Sequence, residues 1–185
     1  KWTAWDLGVS DSTSIWVCET LGGEVRLMDY YENHGQPLDH YIGWLDEKGY
    51  RDYTHILPHD VNVRELQTGK SRYEFLTEAG LNIEVAAKLS VEDGIMAVRK
   101  MLPNAWFNKE TTKFGLECLR NYRRVFNEKL NVYQEKPLHD WSSHCSDAFR
   151  YLAVGIDTQG TSTRSNWNKP FESTYDGESY KNQYL

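Results

Sequence analysis

The order in which strand-like and helix-like periodicities follow one another constrains this chain more than any other feature. Three strand-like runs come first: Trp2–Leu7, Ser14–Glu19 (SIWVCE) and Glu24–Tyr31 (EVRLMDYY), all rich in β-branched and aromatic residues. Leu21, Gly22 and Gly23 separate the second run from the third, and a Gly pair between two such runs marks a tight hairpin. The three runs therefore read as sequential antiparallel strands.

From there the pattern changes to alternating helix and strand. Apolar residues at helical spacing over Leu38–Leu45 follow Pro37 and end at Gly49. A short strand, Thr54–Leu57 (THIL), runs into the polar turn Pro58, His59, Asp60. Ser71 opens SRYEFLTEAG, whose Ser-x-x-Glu start and trailing Gly80 predict a capped helix. Asn82–Ala86 is the next strand, and Ser90–Leu102 an amphipathic helix. Phe114–Phe126 is expected as an Arg-rich helix and Trp141–Ile156 as the last one. The fold class is thus α/β: a mixed sheet of three antiparallel strands followed by alternating helices and strands, with helices on both faces. That order is the ribonuclease H-like one. It spans residues 1–156; from Asp157 to Leu185 the chain turns to Gly, Ser, Thr, Asn and Tyr without periodicity, which predicts a polar, flexible tail.

Composition narrows the function classes. The chain has 185 residues and 39% hydrophobic content, enough for one sizeable core. Its net charge of -6 provides no broad positive field for nucleic acid, so any grip on DNA must come from a local basic strip or another domain. Cys18, Cys118 and Cys145 are widely spaced and form no C-x-x-C pair, which fits a reducing setting. No apolar run approaches the roughly 20 residues a bilayer span requires, and no charged-then-apolar leader opens the chain; a soluble, unexported protein is expected. The start at Lys1, directly into a strand and without Met, predicts a piece of a longer polypeptide.

The candidate chemistry lies in acidic residues at strand ends and on a helix face. Asp6 ends the first strand in W-D-L-G-V-S-D-S-T, Asp60 follows the fourth in L-P-H-D-V, and Asp147 lies early on the last helix in S-H-C-S-D-A-F-R-Y. His144 precedes Asp147 by one helical turn, on the same face. In a sheet of this order the first and fourth strands are neighbours, so Asp6 and Asp60 project side by side and the last helix brings Asp147 to them. Converging carboxylates repel unless a cation neutralises them, and hard oxygen donors select Mg2+ or Mn2+. Two such ions stabilise the attacking and leaving oxygens of a phosphodiester. Asp6 would bridge both ions, Asp60 would hold one, and Asp147, with or without His144, the other. Each Asp also has a structural reading as turn former or cap, and His144 one as an ordinary partly buried histidine. Asp140, in H-D-W-S-S, reads better as the cap of the last helix than as a ligand. Asp11 and Asp29 read as turn and strand-edge residues.

The three segments W-D-L-G-V-S-D-S-T, L-P-H-D-V and S-H-C-S-D-A-F-R-Y, in that order and spacing, resemble the C-terminal nuclease domain of tailed-phage terminase large subunits. The resemblance covers Lys1 to about Ile156. It implies two-metal cleavage of concatemeric double-stranded DNA during genome packaging, in the host-cell cytoplasm. Asp6, Asp60 and Asp147 are the implied ligands, and His144 stands at a position that ligates in some members. It also implies an ATPase motor domain upstream on the same polypeptide, with a portal protein and a small terminase subunit as partners. No Walker-type glycine loop occurs in this sequence, so the ATPase is not within it.

Candidate phosphate contacts are Arg120, Arg123 and Arg124 on the expected Arg-rich helix, Lys129 and Lys136 after it, Lys70 and Arg72 past Asp60, and Lys88 after the fifth strand. A solvated helix face is the alternative for such charges. The hairpin that the family carries near its active site would fall around Leu130–Pro137. Three other functions compete. D-L-G-V-S-D-S-T also resembles the first phosphate loop of actin-like and sugar-kinase ATPases, but those need two such domains and an adenosine-binding glycine motif. Resolvases, transposases and ribonuclease H use similar acidic ligands, and the S-H-C-S-D-A-F-R-Y segment separates them from the terminase reading. A non-catalytic docking module is the third, and metal-dependent DNA cleavage would discriminate it.

Overall fold

The structure, a computed structural model, describes residues 1–8, 11–64 and 69–160, the last four by backbone only. Strands β1 (Trp2–Asp6), β2 (Ser12–Leu21) and β3 (Glu24–His34) form an antiparallel meander. The β2–β3 turn holds Gly22 and Gly23 at φ 60° and 90°, the left-handed region that glycine enters without a Cβ penalty.

Helix α1 (Leu38–Lys48) returns the chain so that β4 (Thr54–Leu57) lies parallel to β1, with Trp2 opposite Thr54. Helix α2 (Arg72–Glu78) starts in the expected capping box: the Ser71 hydroxyl accepts from the Glu74 amide, and the Glu74 carboxylate accepts from the Ser71 amide. Strand β5 (Asn82–Val85) adds parallel to β4. Helix α3 (Val91–Met101) is capped by Ser90, and a 3-10 turn (Leu102–Asn104) leads to β6 (Ala105–Phe107), parallel to β3. Helix α4 (Lys113–Asn121), a separate antiparallel hairpin of β7 (Arg124–Asn127) and β8 (Val132–Pro137), and helix α5 (Ser143–Gly160) complete the order. The sheet reads β5-β4-β1-β2-β3-β6.

Two expectations are corrected here. The helix expected over Phe114–Phe126 ends at Asn121, and Arg123 and Arg124 lie beyond it, in the connection and at the start of β7. Tyr122 turns the backbone to an extended ψ of 114°, and Phe126 and Asn127 pair with Tyr133 and Val132 instead of continuing a helical ladder. The hairpin expected around Leu130–Pro137 accordingly begins earlier, at Arg124. Its turn is closed by the Asn127 carboxamide, which accepts from the amides of Lys129 and Leu130, and by Asn131 at φ 52°. Strand β6 was not expected at all. Of the tail expected from Asp157, residues 161–185 lie outside the described residues; up to Gly160 the backbone continues α5.

Each face of the sheet carries its own core. On one, Trp5, Ile15 and Val17 pack with Tyr41, Ile42 and Leu45 of α1 and Leu76 of α2. On the other, Ala4, Trp16, Cys18, Leu27 and Ile56 pack with Cys145, Ala148, Phe149 and Leu152 of α5 and Cys118 of α4. The Trp16 indole N–H donates to the Cys145 carbonyl at 3.0 Å, pinning the first turn of α5 to the sheet centre. All three cysteines are buried free thiols. Among the described residues no helix is long and apolar enough to cross a membrane.

Candidate metal centre

β1 ends at Asp6 and β2 begins at Ser12. At Gly8 a Cβ would lie 2.6 Å from the carbonyl carbon and oxygen of Asp11 and from the Ser12 carbonyl oxygen. Only glycine fits that close approach to the backbone of Asp11 and Ser12.

Alternation then selects what faces α5. Asp6, opposite Ser14, and Ser14, opposite Glu32, form a polar row across β1, β2 and β3, continuing the face on which Ala4, Trp16 and Tyr30 are buried. The Glu32 carboxylate accepts from the Ser14 hydroxyl at 3.2 Å and from the Tyr30 hydroxyl. Helix α5 enters over this row. The Asp140 carboxylate accepts from the Ser142 amide at 2.9 Å and the Ser142 hydroxyl at 2.6 Å, closing a turn just ahead of the helix start at Ser143; it bonds no amide within α5 and so is not the helix cap expected of it.

His144 then places Nδ1 3.0 Å from Asp6 Oδ2, with side-chain exposures of 16% and 19%. On its far side Nε2 lies 3.9 Å from Asp11 Oδ2, and the His139 ring stands edge-on at 5.4 Å. Donor atoms of Asp11, His139 and His144 all lie within 4.8 Å of one another, the one such set of three among the described residues. Asp147 sits one turn later, clasped by Arg150 Nη2 at 2.8 Å and Nε at 3.2 Å, with the Tyr122 hydroxyl at 3.4 Å. Asp60 is exposed in the turn after β4 and caps no helix; its carbonyl accepts from the Val63 amide at 3.0 Å.

The electrostatics tie these groups together. Burial pushes the Asp6 carboxyl above the ordinary value; the His144 hydrogen bond opposes this, and the charge of Asp147 adds to it. His144 moves up as well, chiefly through its hydrogen bond to Asp6. A simple ion pair would lower the acid as it raises the base. Here burial outweighs the pairing on Asp6, so the carboxylate remains under-neutralised. Tyr151, a turn beyond Asp147, is pushed up to about 12 by burial and by Asp6, against the opposing charge of Arg150, with Asp147 and Asp60 adding to the rise. Asp6, Asp60 and Asp147 therefore act on one point of α5, although their oxygens are not drawn into a single close cluster. Hard carboxylate oxygens with an adjoining imidazole are a donor set for Mg2+ or Mn2+, and a carboxylate left short of positive charge suits a cation.

The expected DNA-contacting residues scatter more widely. Lys70 pairs with Glu78 at 2.7 Å, Arg123 with Asp140 at 3.4 Å, and Arg124 with Glu92. Arg72 Nη1 donates to the Leu7 carbonyl at 3.2 Å, beside the site. Lys88, Arg120, Lys129 and Lys136 are exposed. Sequence reasoning missed the proximity of Asp11, His139 and Glu32; nothing local links positions 11, 32 and 139, and only the docking of α5 assembles them. An open cleft of about 490 Å3, lined by Ser12, Glu32, Asn33, His34 and Phe114 among others, borders the row on the β3 side.

No family model matches the sequence, and no curated protein does. Solved structures do. The large terminase of the thermophilic bacteriophage D6E superposes with a TM-score of 0.63 at 19% identity, over 84% of this chain and 39% of that one. The P22 large terminase nuclease domain gives 0.61 at 20% identity, over 84% and 80%. The fold is that of the large-terminase nuclease domains, which are ribonuclease H-like. The SPP1 large-terminase nuclease domain, solved with bound manganese, gives 0.58 at 16% identity over 84% and 85%. This chain spans about two fifths of the D6E large terminase.

Proposed function

We propose that this chain is the nuclease domain of a viral terminase large subunit, a two-metal endonuclease that cuts concatemeric double-stranded DNA during genome packaging. One observation carries the reading: α5 seats His144 on Asp6 at 3.0 Å and places Asp147 in the field of Asp6, where the neighbouring parallel strand β4 leads to Asp60. The bound manganese of the SPP1 neighbour and the bound magnesium of the phage G20c large-terminase nuclease support Mn2+ or Mg2+ as the ion.

In this reading Asp6 would bridge two ions, Asp60 would hold one, and Asp147 and His144 the other. Such ions lower the cost of charge on the phosphodiester oxygens during in-line displacement. The protein's own part is to present the donors. Burial of Asp6 leaves that carboxylate in need of a cation, and Asp6 fixes the His144 ring so that Nε2 turns toward Asp11 and His139. The exposed Lys88, Arg120, Lys129 and Lys136 are the phosphate contacts proposed, with Arg72 near Asp6; Lys70, Arg123 and Arg124 carry acidic partners that blunt their charge. With a net charge of -6, tight DNA binding falls to the upstream ATPase domain of the same polypeptide. The portal protein and small terminase subunit are further partners in this reading, and the host-cell cytoplasm is the place of action.

The test is cleavage of plasmid DNA by Asp60→Asn and Asp147→Asn in Mn2+. Each is expected to lose cutting while keeping the wild-type circular dichroism. Wild-type rates in both would end the assignment, and cutting retained in one would remove that residue from the site.

A further inference from the structure

Gly94 lies inside α3, where a glycine costs about 1 kcal/mol relative to Ala. A Cβ there would meet Arg150 of α5 at 3.0 Å from Cδ and 3.3 Å from Cγ and Nη1. The glycine thus opens the passage through which the Arg150 side chain crosses, with only 11% of that side chain exposed. The guanidinium lies 5.6 Å from the centroid of the Tyr151 ring and delivers Nη2 and Nε to one oxygen, Oδ1 of Asp147. A nearly buried guanidinium is costly unless paired, so the passage and the pairing form one built arrangement.

We propose that Arg150 is a resident counter-cation for Asp147: it steadies the carboxylate before metal arrives and weakens divalent binding there, so that an ion must compete with its charge. The proposal rests on the reading of Asp147 as a ligand. A positive charge fixed on a ligand carboxylate opposes a second cation, and even at water-like screening its removal is worth about a tenfold change in affinity for a divalent ion. A purely structural Arg150 gives the opposite sign, because losing it would loosen Asp147 and weaken the metal. As a positioning residue, Arg150 needs no contact with DNA.

The experiment measures Mn2+ affinity by the EPR signal of free Mn2+, with melting temperatures at zero and saturating Mn2+, for the chain and for Arg150→Gln. Without metal, Arg150→Gln is expected to melt below the wild type. With Mn2+ its melting temperature should rise further than the wild type's, and its Kd should fall about tenfold. A folded Arg150→Gln protein whose Kd is unchanged or weaker overturns the proposal while leaving the metal reading intact. If neither protein binds Mn2+, both fall; binding by the variant alone supports both. Should Arg150→Gln fail to fold, Arg150→Met carries the test, since methionine keeps an unbranched apolar stem beside Gly94 and carries no charge. It is expected to tighten Mn2+ about tenfold, and no tightening overturns the proposal.

Discussion

Gly155 of α5 sits where the helix crosses β4. A Cβ there would come 2.5 Å from Ile56 Cδ1 and 3.0 Å from its Cγ1 and Cγ2. Ile56 is fully buried, in the core that also holds Cys145, Phe149 and Leu152, so it has no free space into which to withdraw. In Gly155→Ala a Cβ 2.5 Å from a fully buried side chain puts the overpacking in the upper part of its usual range, about 2–3 kcal/mol, and the helix recovers about 1 kcal/mol of backbone propensity. The net loss is about 1–2 kcal/mol, which lowers the melting temperature by about 2–8 °C in a chain of this size. Ile56→Val removes Cδ1, the atom in closest approach, and by itself costs about 0.5–1.5 kcal/mol. The double variant should therefore be more stable than the sum of the singles by about 1 kcal/mol. Urea denaturation of the four proteins of this cycle measures the coupling. The reasoning about how closely α5 lies on the sheet is refuted if Gly155→Ala melts at or above the wild-type temperature, or if the two effects simply add.

Three further outcomes follow from the same structure. The raised pKa of His144 means that its contribution to stability is full below the ordinary value of about 6.5 and is lost as pH rises through the folded-state value; His144→Ala should flatten that part of the stability–pH curve, and parallel curves would contradict the pairing with Asp6. Ser71→Ala removes a capping-box hydroxyl and should cost about 1 kcal/mol in urea denaturation, whereas an unchanged midpoint would show that α2 does not depend on it. Lys129→Ala, at the exposed hairpin turn, should weaken DNA binding and lower the slope of log affinity against log salt by about 1; an unchanged slope would take the hairpin turn out of the DNA path.

What could be read from the sequence was whatever has a local cause. Gly22 and Gly23 announce the β2–β3 turn by themselves, Ser71 and Glu74 announce the start of α2, and the sequence order of the strands places β4 beside β1. The misreadings occur where distant pairing decides. Strand β6, three residues long, is too short to display a period, and it exists because Val25–Leu27 offers an edge some 80 residues earlier in the chain. Arg123 and Arg124 continue the helical spacing of α4, yet the pairing of Phe126 with Tyr133 takes precedence. At the candidate site, Asp6, Asp60 and Asp147 could be singled out because each stands at the end of an element or on a helix face. Asp11 read as a turn residue, since its approach to His144 depends on how α5, more than 130 residues later, docks over the sheet. Gly94 had no local explanation, and its reason lies in the Arg150 side chain on another helix.

The most direct measurement is relaxation or linearisation of supercoiled plasmid at low salt, with wild type and Asp6→Asn side by side in EDTA, Mg2+ and Mn2+. The account predicts cutting by the wild type only when Mg2+ or Mn2+ is present, and none by Asp6→Asn, with the melting temperature of the variant maintained. Cutting by Asp6→Asn at the wild-type rate, or undiminished cutting in EDTA, would contradict it.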